Sequence, residues 1–76
     1  MDEKEIETTR WRIRKLFAIA GEHSRLTPSE ITDVLEIKSE LVRAAIDDMY
    51  AHDEIEFVSL GGAGFQILKR PIVQYA

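Results

Sequence analysis

Apolar side chains recur at two different rhythms along this chain, and the change of rhythm separates a helical part from a hairpin. From about Glu3 to Ala20, the residues Ile6, Ile13, Leu16, Phe17 and Ala20 fall on one stripe at helical spacing, with Thr9 and Arg10 on or near the same side. Gly21 follows as a natural stop, because glycine tolerates the backbone that ends a helix. Arg25-Leu26 reads as a short extended piece. Thr27-Pro28-Ser29-Glu30 then has the form of a capping box: Thr27 caps, Pro28 takes the first helical position and Glu30 reaches back. Ile31, Val34 and Leu35 are the expected buried stripe of this short second helix, which ends near Glu36. After a tight turn through Glu36-Ile37-Lys38, Ser39 is the expected cap of a third helix. Its apolar face is Val42, Ala45, Ile46 and Met49, and it runs to about His52.

Beyond His52 the apolar positions alternate. Ile55, Phe57 and Ser59 point one way, and Glu56, Val58 and Leu60 the other. Phe65 and Ile67 oppose Gln66 and Leu68 in a second strand, and Gly61-Gly62-Ala63-Gly64 joins the two as a hairpin loop. Pro71 ends the second strand and leaves a short apolar tail, 71–76. With 76 residues the chain has room for one domain, with a core expected over about 5–70. A domain this small buries a modest core, and small domains commonly lean on disulfides, metals or oligomerisation. Without cysteine, disulfides and thiolate metal sites are excluded, which leaves a tight core or a dimer. The same absence fits a reducing cytoplasm. No stretch approaches the roughly 18 apolar residues of a membrane span, and the acidic start Met1-Asp2-Glu3-Lys4-Glu5 is unlike a signal peptide.

The formal net charge is −4, and it is unevenly spread. Residues 1–9 carry −3 and residues 10–26 carry +4, through Arg10, Arg12, Arg14, Lys15 and Arg25 against Glu22. Residues 27–54 carry −6 and residues 55–76 carry +1. The basic charge therefore sits on the first helix, while the second and third helices are acidic.

The order helix, short strand, helix, tight turn, helix, hairpin resembles the winged-helix branch of the helix-turn-helix superfamily. The resemblance covers about residues 12–69. It is carried by the run LTPSEITDVLEIKSELVRAAIDDMYAHDEIEFVSLGGAGFQILK, which is similar to small bacterial and archaeal regulators of the ArsR and MarR type. Leu26 and Ile31 match the buried start of the second helix, and Leu35 and Ile37 bracket the turn. Val42, Ile46 and Met49 match the core of the recognition helix, Ile55 opens the wing, and Phe65 and Ile67 close it. Two positions depart from the pattern: Glu36 stands where the turn often holds glycine, and the wing from Leu60 to Gly64 has no Arg or Lys. The resemblance implies an α+β winged helix, with a three-helix core and a two- to three-stranded antiparallel wing. It also implies a DNA-binding regulator of transcription.

In that fold the exposed face of the third helix enters the major groove of double-stranded DNA. Here that face is Lys38, Ser39, Glu40, Leu41, Arg43, Ala44 and Asp47. Arg43 suits guanine, Glu40 suits cytosine, Ser39 suits a phosphate, and Leu41 or Ala44 suits a thymine methyl. The electrostatics oppose this, because DNA affinity comes largely from Lys and Arg neutralising phosphates. Asp47, Asp48, Asp53 and Glu54 would lie near a polyanion. Arg10, Arg12, Arg14 and Lys15, with Lys69 and Arg70 beyond the wing, are the residues expected to compensate through another face; alternatively Arg10 to Lys15 simply pair with nearby acids.

The alternative is a winged helix that works through protein contacts. Trp11 and Ala18 lie nearly opposite the apolar stripe of the first helix, flanked by Ile19, and an outward tryptophan usually has a cover. The expected cover is the apolar tail, Ile72, Val73 and Tyr75, either from the same chain or from a second copy in a homodimer. Leu41 and Leu60 add apolar surface.

No constellation for catalysis, cofactor or metal is expected. His23 and His52 have no ligand spacing, and Asp47-Asp48 diverge by about 100° on a helix. The glycine-rich loop leads into a strand, whereas a phosphate loop leads into a helix.

Overall fold

The computed structural model describes residues 2–21, 23–59, 61 and 64–70. Leu60, Gly62, Ala63, Pro71, Ile72, Val73 and Tyr75 lie outside the described residues. The elements in chain order are α1 (Glu3–Ala20), β1 (Arg25–Leu26), α2 (Pro28–Leu35), α3 (Ser39–Ala51), β2 (Ile55–Ser59) and β3 (Phe65–Lys69). The architecture is α+β, three helices with one antiparallel three-stranded sheet ordered β1-β3-β2, an arrangement compatible with a winged helix.

Local chemistry accounts for most of the boundaries. Asp2 caps α1 by accepting from the Lys4 N–H at 3.1 Å. Gly21 ends it at φ 109°, a backbone that side-chain-bearing residues rarely adopt, and donates to the Phe17 carbonyl at 2.9 Å. The capping box on α2 is complete. Thr27 Oγ1 accepts from the Glu30 N–H at 3.1 Å, and Glu30 Oε1 accepts from the Thr27 N–H at 3.2 Å. At α3 the expectation for Ser39 is corrected. Lys38 is the capping residue, it makes no side-chain cap, and Ser39 is already helical. The turn before it is set by Glu36, which stands at φ 53° and ψ 43° in the left-handed region.

The core joins all three helices to the sheet: Ile13 and Phe17 from α1, Ile31 from α2, Val42, Ala45, Ile46 and Met49 from α3, and Ile55 and Ile67 from β2 and β3. Thr9 is the buried polar member of the α1 stripe, satisfied by donating to the Glu5 carbonyl at 2.7 Å. Two sequence expectations fail here. Val34 is 62% exposed, because α2 is only two turns long and Ile31 and Leu35 already fill its inward side. Ala20, in the last turn of α1, is exposed past the end of the core.

In the sheet, Ile55 faces Lys69, Phe57 faces Ile67 and Ser59 faces Phe65, while β1 pairs Leu26 with Ile67. Ile55, Phe57 and Ser59 share a face, as the alternation predicts. Only its inner end is buried; Phe57 and Phe65 stay partly exposed.

Candidate nucleic-acid interface

The helical repeat of α3 sends Val42, Ala45, Ile46 and Met49 inward and leaves Ser39, Glu40, Arg43, Asp47 and Tyr50 exposed. Lys38 is exposed at the start of the helix. Ser39, Arg43 and Asp47 form one row at four-residue spacing. The structure thus brings five of the six expected nucleic-acid contacts onto one open face. Ala44 is half-buried, as is Leu41, which turns toward Ile37, Thr8 and Thr9 beneath the start of α1. Ala44 and Leu41 therefore present less apolar surface to a groove than their helical positions suggested.

Beside the row, the starts of α2 and α3 converge on an open depression of about 450 Å³ lined by Pro28, Ser29, Thr32, Ser39, Glu40 and Arg43. Its chemistry is mixed. Arg43 and the hydroxyls of Ser29 and Ser39 are suited to anionic oxygen, Thr32 Oγ1 already donates to the Pro28 carbonyl at 2.9 Å, and Glu40 opposes an anion.

The charge map changes once side chains are paired. Arg14 makes a two-pronged contact with Glu54, Nε to Oε2 at 3.0 Å and Nη2 to Oε1 at 2.6 Å. The hydrogen bond from Arg14 holds the Glu54 carboxyl below the usual glutamate range, against the opposing effect of partial burial. The same bond raises the Arg14 guanidinium further. Arg10 pairs with Asp48, but its Nε is buried with no partner among the described residues. Arg70 pairs with Asp53 at 3.2 Å and with Glu56 at 3.0 Å. Arg12 donates to the Leu35 carbonyl at 3.1 Å, tying α1 to the end of α2.

The basic helix is thus engaged with acids of α3 and the segment after it. Arg10 and Arg14 do not form a separate patch, and Asp48, Asp53 and Glu54 are not bare. On the α2–α3 face, Glu30, Asp33, Glu36, Glu40 and Asp47 remain against Lys38 and Arg43, a local balance of −3. Arg43 and Lys38 make no ion pair with the described residues.

On α1, Trp11 is 59% exposed and Ile19 84% exposed, with Ala18 exposed beside them. The Arg14 guanidinium lies 5.1 Å from the Trp11 ring centroid, a cation–π contact between residues three apart on one helix. The tail residues expected to cover Trp11, namely Ile72, Val73 and Tyr75, are outside the described residues.

One feature of the surface escaped the sequence reading. Tyr50, Phe57 and Phe65 form an exposed aromatic row, with ring centroids 4.5 Å apart for Tyr50–Phe57 and 5.0 Å for the edge-on Phe57–Phe65 pair. The hairpin register holds the signal for Phe57 and Phe65, which are diagonal neighbours. Nothing in the helical pattern links Tyr50 to them.

His52 Nδ1 lies 2.8 Å from the Asp48 carbonyl, at the end of α3. Asp47 is exposed, while Asp48 turns inward to Arg10. Among the described residues, no group of three or more His, Cys, Asp or Glu side chains is placed to hold a metal ion. No helix among them is long and apolar enough to cross a membrane. Comparison with protein families, characterised proteins and solved structures finds no match to this chain.

Proposed function

We propose that this chain is a winged-helix domain that binds double-stranded DNA and regulates transcription, with α3 as its reading helix. The reading is carried by the open row Ser39–Arg43–Asp47, flanked by Lys38 and by Ser29 at the start of α2. Arg43 is the base-reading side chain, since a guanidinium can donate twice to guanine. Ser39, Ser29 and Lys38 face the phosphates. The reading implies a cytoplasmic protein that carries out no catalysis.

Because only Lys38 and Arg43 are available on this face, few counterions are released. With Lys38 as the cation facing the phosphates and Arg43 on a base, the logarithm of affinity should fall with the logarithm of salt at a slope of about −1. The test is titration of the labelled chain with a pool of duplexes at low and moderate salt. Chemical-shift changes should concentrate on residues 38–47 and weaken with salt. Arg43→Ala should lower affinity for a selected duplex by about tenfold or more, corresponding to about 1–3 kcal/mol for a lost bidentate base contact. Absence of binding at low salt removes the proposal.

A second reading, a winged helix acting through protein contacts, is favoured by the exposure of Trp11 and Ile19. It predicts no response to duplex DNA at low salt, together with concentration-dependent shifts of Trp11, Ala18 and Ile19 that Trp11→Glu abolishes.

A further inference from the structure

The free edge of β2 has a hydrogen-bonding pattern complementary to itself. In the order β1-β3-β2, no strand among the described residues pairs with the outer side of β2. The phase of the ladder is set by Arg70, whose N–H donates to the Glu54 carbonyl at 2.9 Å. Positions 54 and 70 continue the register in which Ile55 faces Lys69 and Glu56 faces Leu68. Hydrogen-bonded and non-hydrogen-bonded pairs alternate in an antiparallel ladder. Glu56 and Val58 therefore spend their N–H and C=O groups on β3, while Ile55, Phe57 and Ser59 direct theirs to the open edge.

We infer that two copies of this chain associate by pairing β2 with β2, antiparallel, about a twofold axis at Phe57. In that register Ile55 meets the partner's Ser59, Phe57 meets the partner's Phe57, and Ser59 meets the partner's Ile55. All three are positions whose backbone groups point outward, so every outward group finds a partner and the interface is isologous. The neighbouring register toward Ile55 sets Glu56 directly across from the partner's Glu56, which like-charge repulsion disfavours. The one toward Ser59 leaves Ile55 unpaired.

The side chains fit the same register. Phe57 stacks across the axis with Tyr50 and Phe65 beside it, so the exposed aromatic rows of both copies gain cover. On the other face Glu56 lies across from the partner's Val58, and its carboxylate is already held by Arg70 Nε at 3.0 Å. Edge strands are ordinarily guarded by Lys, Pro or a bulge; Ile55-Glu56-Phe57-Val58-Ser59 has only Glu56, and Arg70 offsets its charge. A groove of about 540 Å³ beside this strand is lined by Ile55, Glu56 and Phe57 together with Tyr50, Ala51, Asp53 and Arg70. The inference does not depend on DNA binding and uses a different surface from Trp11.

Sedimentation equilibrium of the whole chain tests it. The expected mass is twice the 8.7 kDa of one chain, falling to one chain for Phe57→Lys with the circular dichroism unchanged. The chain has no cysteine, so single-cysteine variants report contacts directly. Phe57→Cys should oxidise to a covalent dimer, because directly opposed residues have Cα atoms about 5.5 Å apart, within disulfide reach. Trp11→Cys should not. Should Phe57→Lys unfold, amide exchange in the unmodified chain decides: the Ile55, Phe57 and Ser59 amides should slow as concentration rises. A single-chain mass at all concentrations, exchange at those amides independent of concentration, or a covalent dimer from Trp11→Cys but not Phe57→Cys would each overturn it.

Discussion

Glu36 holds the turn between α2 and α3 with φ 53° and ψ 43°, a left-handed conformation that costs an L-residue about 1–2 kcal/mol. Glycine removes that strain but gives back part of the gain through the greater freedom of its unfolded chain. Glu36→Gly should therefore stabilise the domain by about 0.5–1 kcal/mol, a rise in Tm of roughly 3–6 °C by thermal melt. A fall in Tm would mean that the turn is not strained. Asp53 has a similar backbone, φ 58°, but its carboxylate also holds Arg70. The same substitution there loses a contact as it relieves strain, so the gain should be smaller. The oddity of Glu36 was legible in the sequence, because the helix-turn-helix pattern that the chain resembles often holds glycine there. That of Asp53 was not, because it depends on how the chain leaves α3 to enter β2.

At the scale of elements, α1 is held to α3 and the segment after it by apolar packing and by two arginine–carboxylate contacts. These contacts are unequal. Arg14 uses two donors on Glu54, whereas Arg10 engages Asp48 and leaves its Nε buried and unpartnered among the described residues, a cost that offsets the gain. Both members of the Arg14–Glu54 pair are about one-third exposed, so solvent screening limits it to up to about 1 kcal/mol. The Glu54 carboxyl titrates below its ordinary value. Its contribution is therefore complete above the unfolded pKa of about 4.3 and is lost as pH falls through the lower folded value. Urea melts should show Glu54→Gln less stable than the unmodified chain at neutral pH, with the difference closing in acid. A difference that persists undiminished in strong acid would rule out this linkage. The sequence offered two fates for the basic helix, a separate DNA-binding patch or local pairing. Only the packing of α1 on α3 shows that Arg10 and Arg14 pair.

Across the molecule, one core of nine buried apolar residues among those described joins helices to sheet, and Phe17 is the largest of its fully buried side chains. A domain of this size has a total stability of about 4–11 kcal/mol, and truncating a buried Phe to Ala costs about 3–5 kcal/mol. Phe17→Ala should thus leave the domain marginal, with a urea midpoint near zero at the lower end of that range. A loss under about 1 kcal/mol would show that the core is not cooperative. The same narrow margin makes pairing through β2 useful to a small domain, since binding between folded copies stabilises them by mass action.

Periodicity and local hydrogen bonding lie within reach of one chain segment, and for that reason the sequence alone determined the three helices, the capping box at Thr27, the hairpin and most of the core. Burial and partnership depend on which segments meet. The exposure of Val34, the pairing of Arg14 with Glu54, the meeting of Tyr50 with Phe57 and the open edge of β2 join or separate residues that no local pattern connects. The tertiary structure alone decided them.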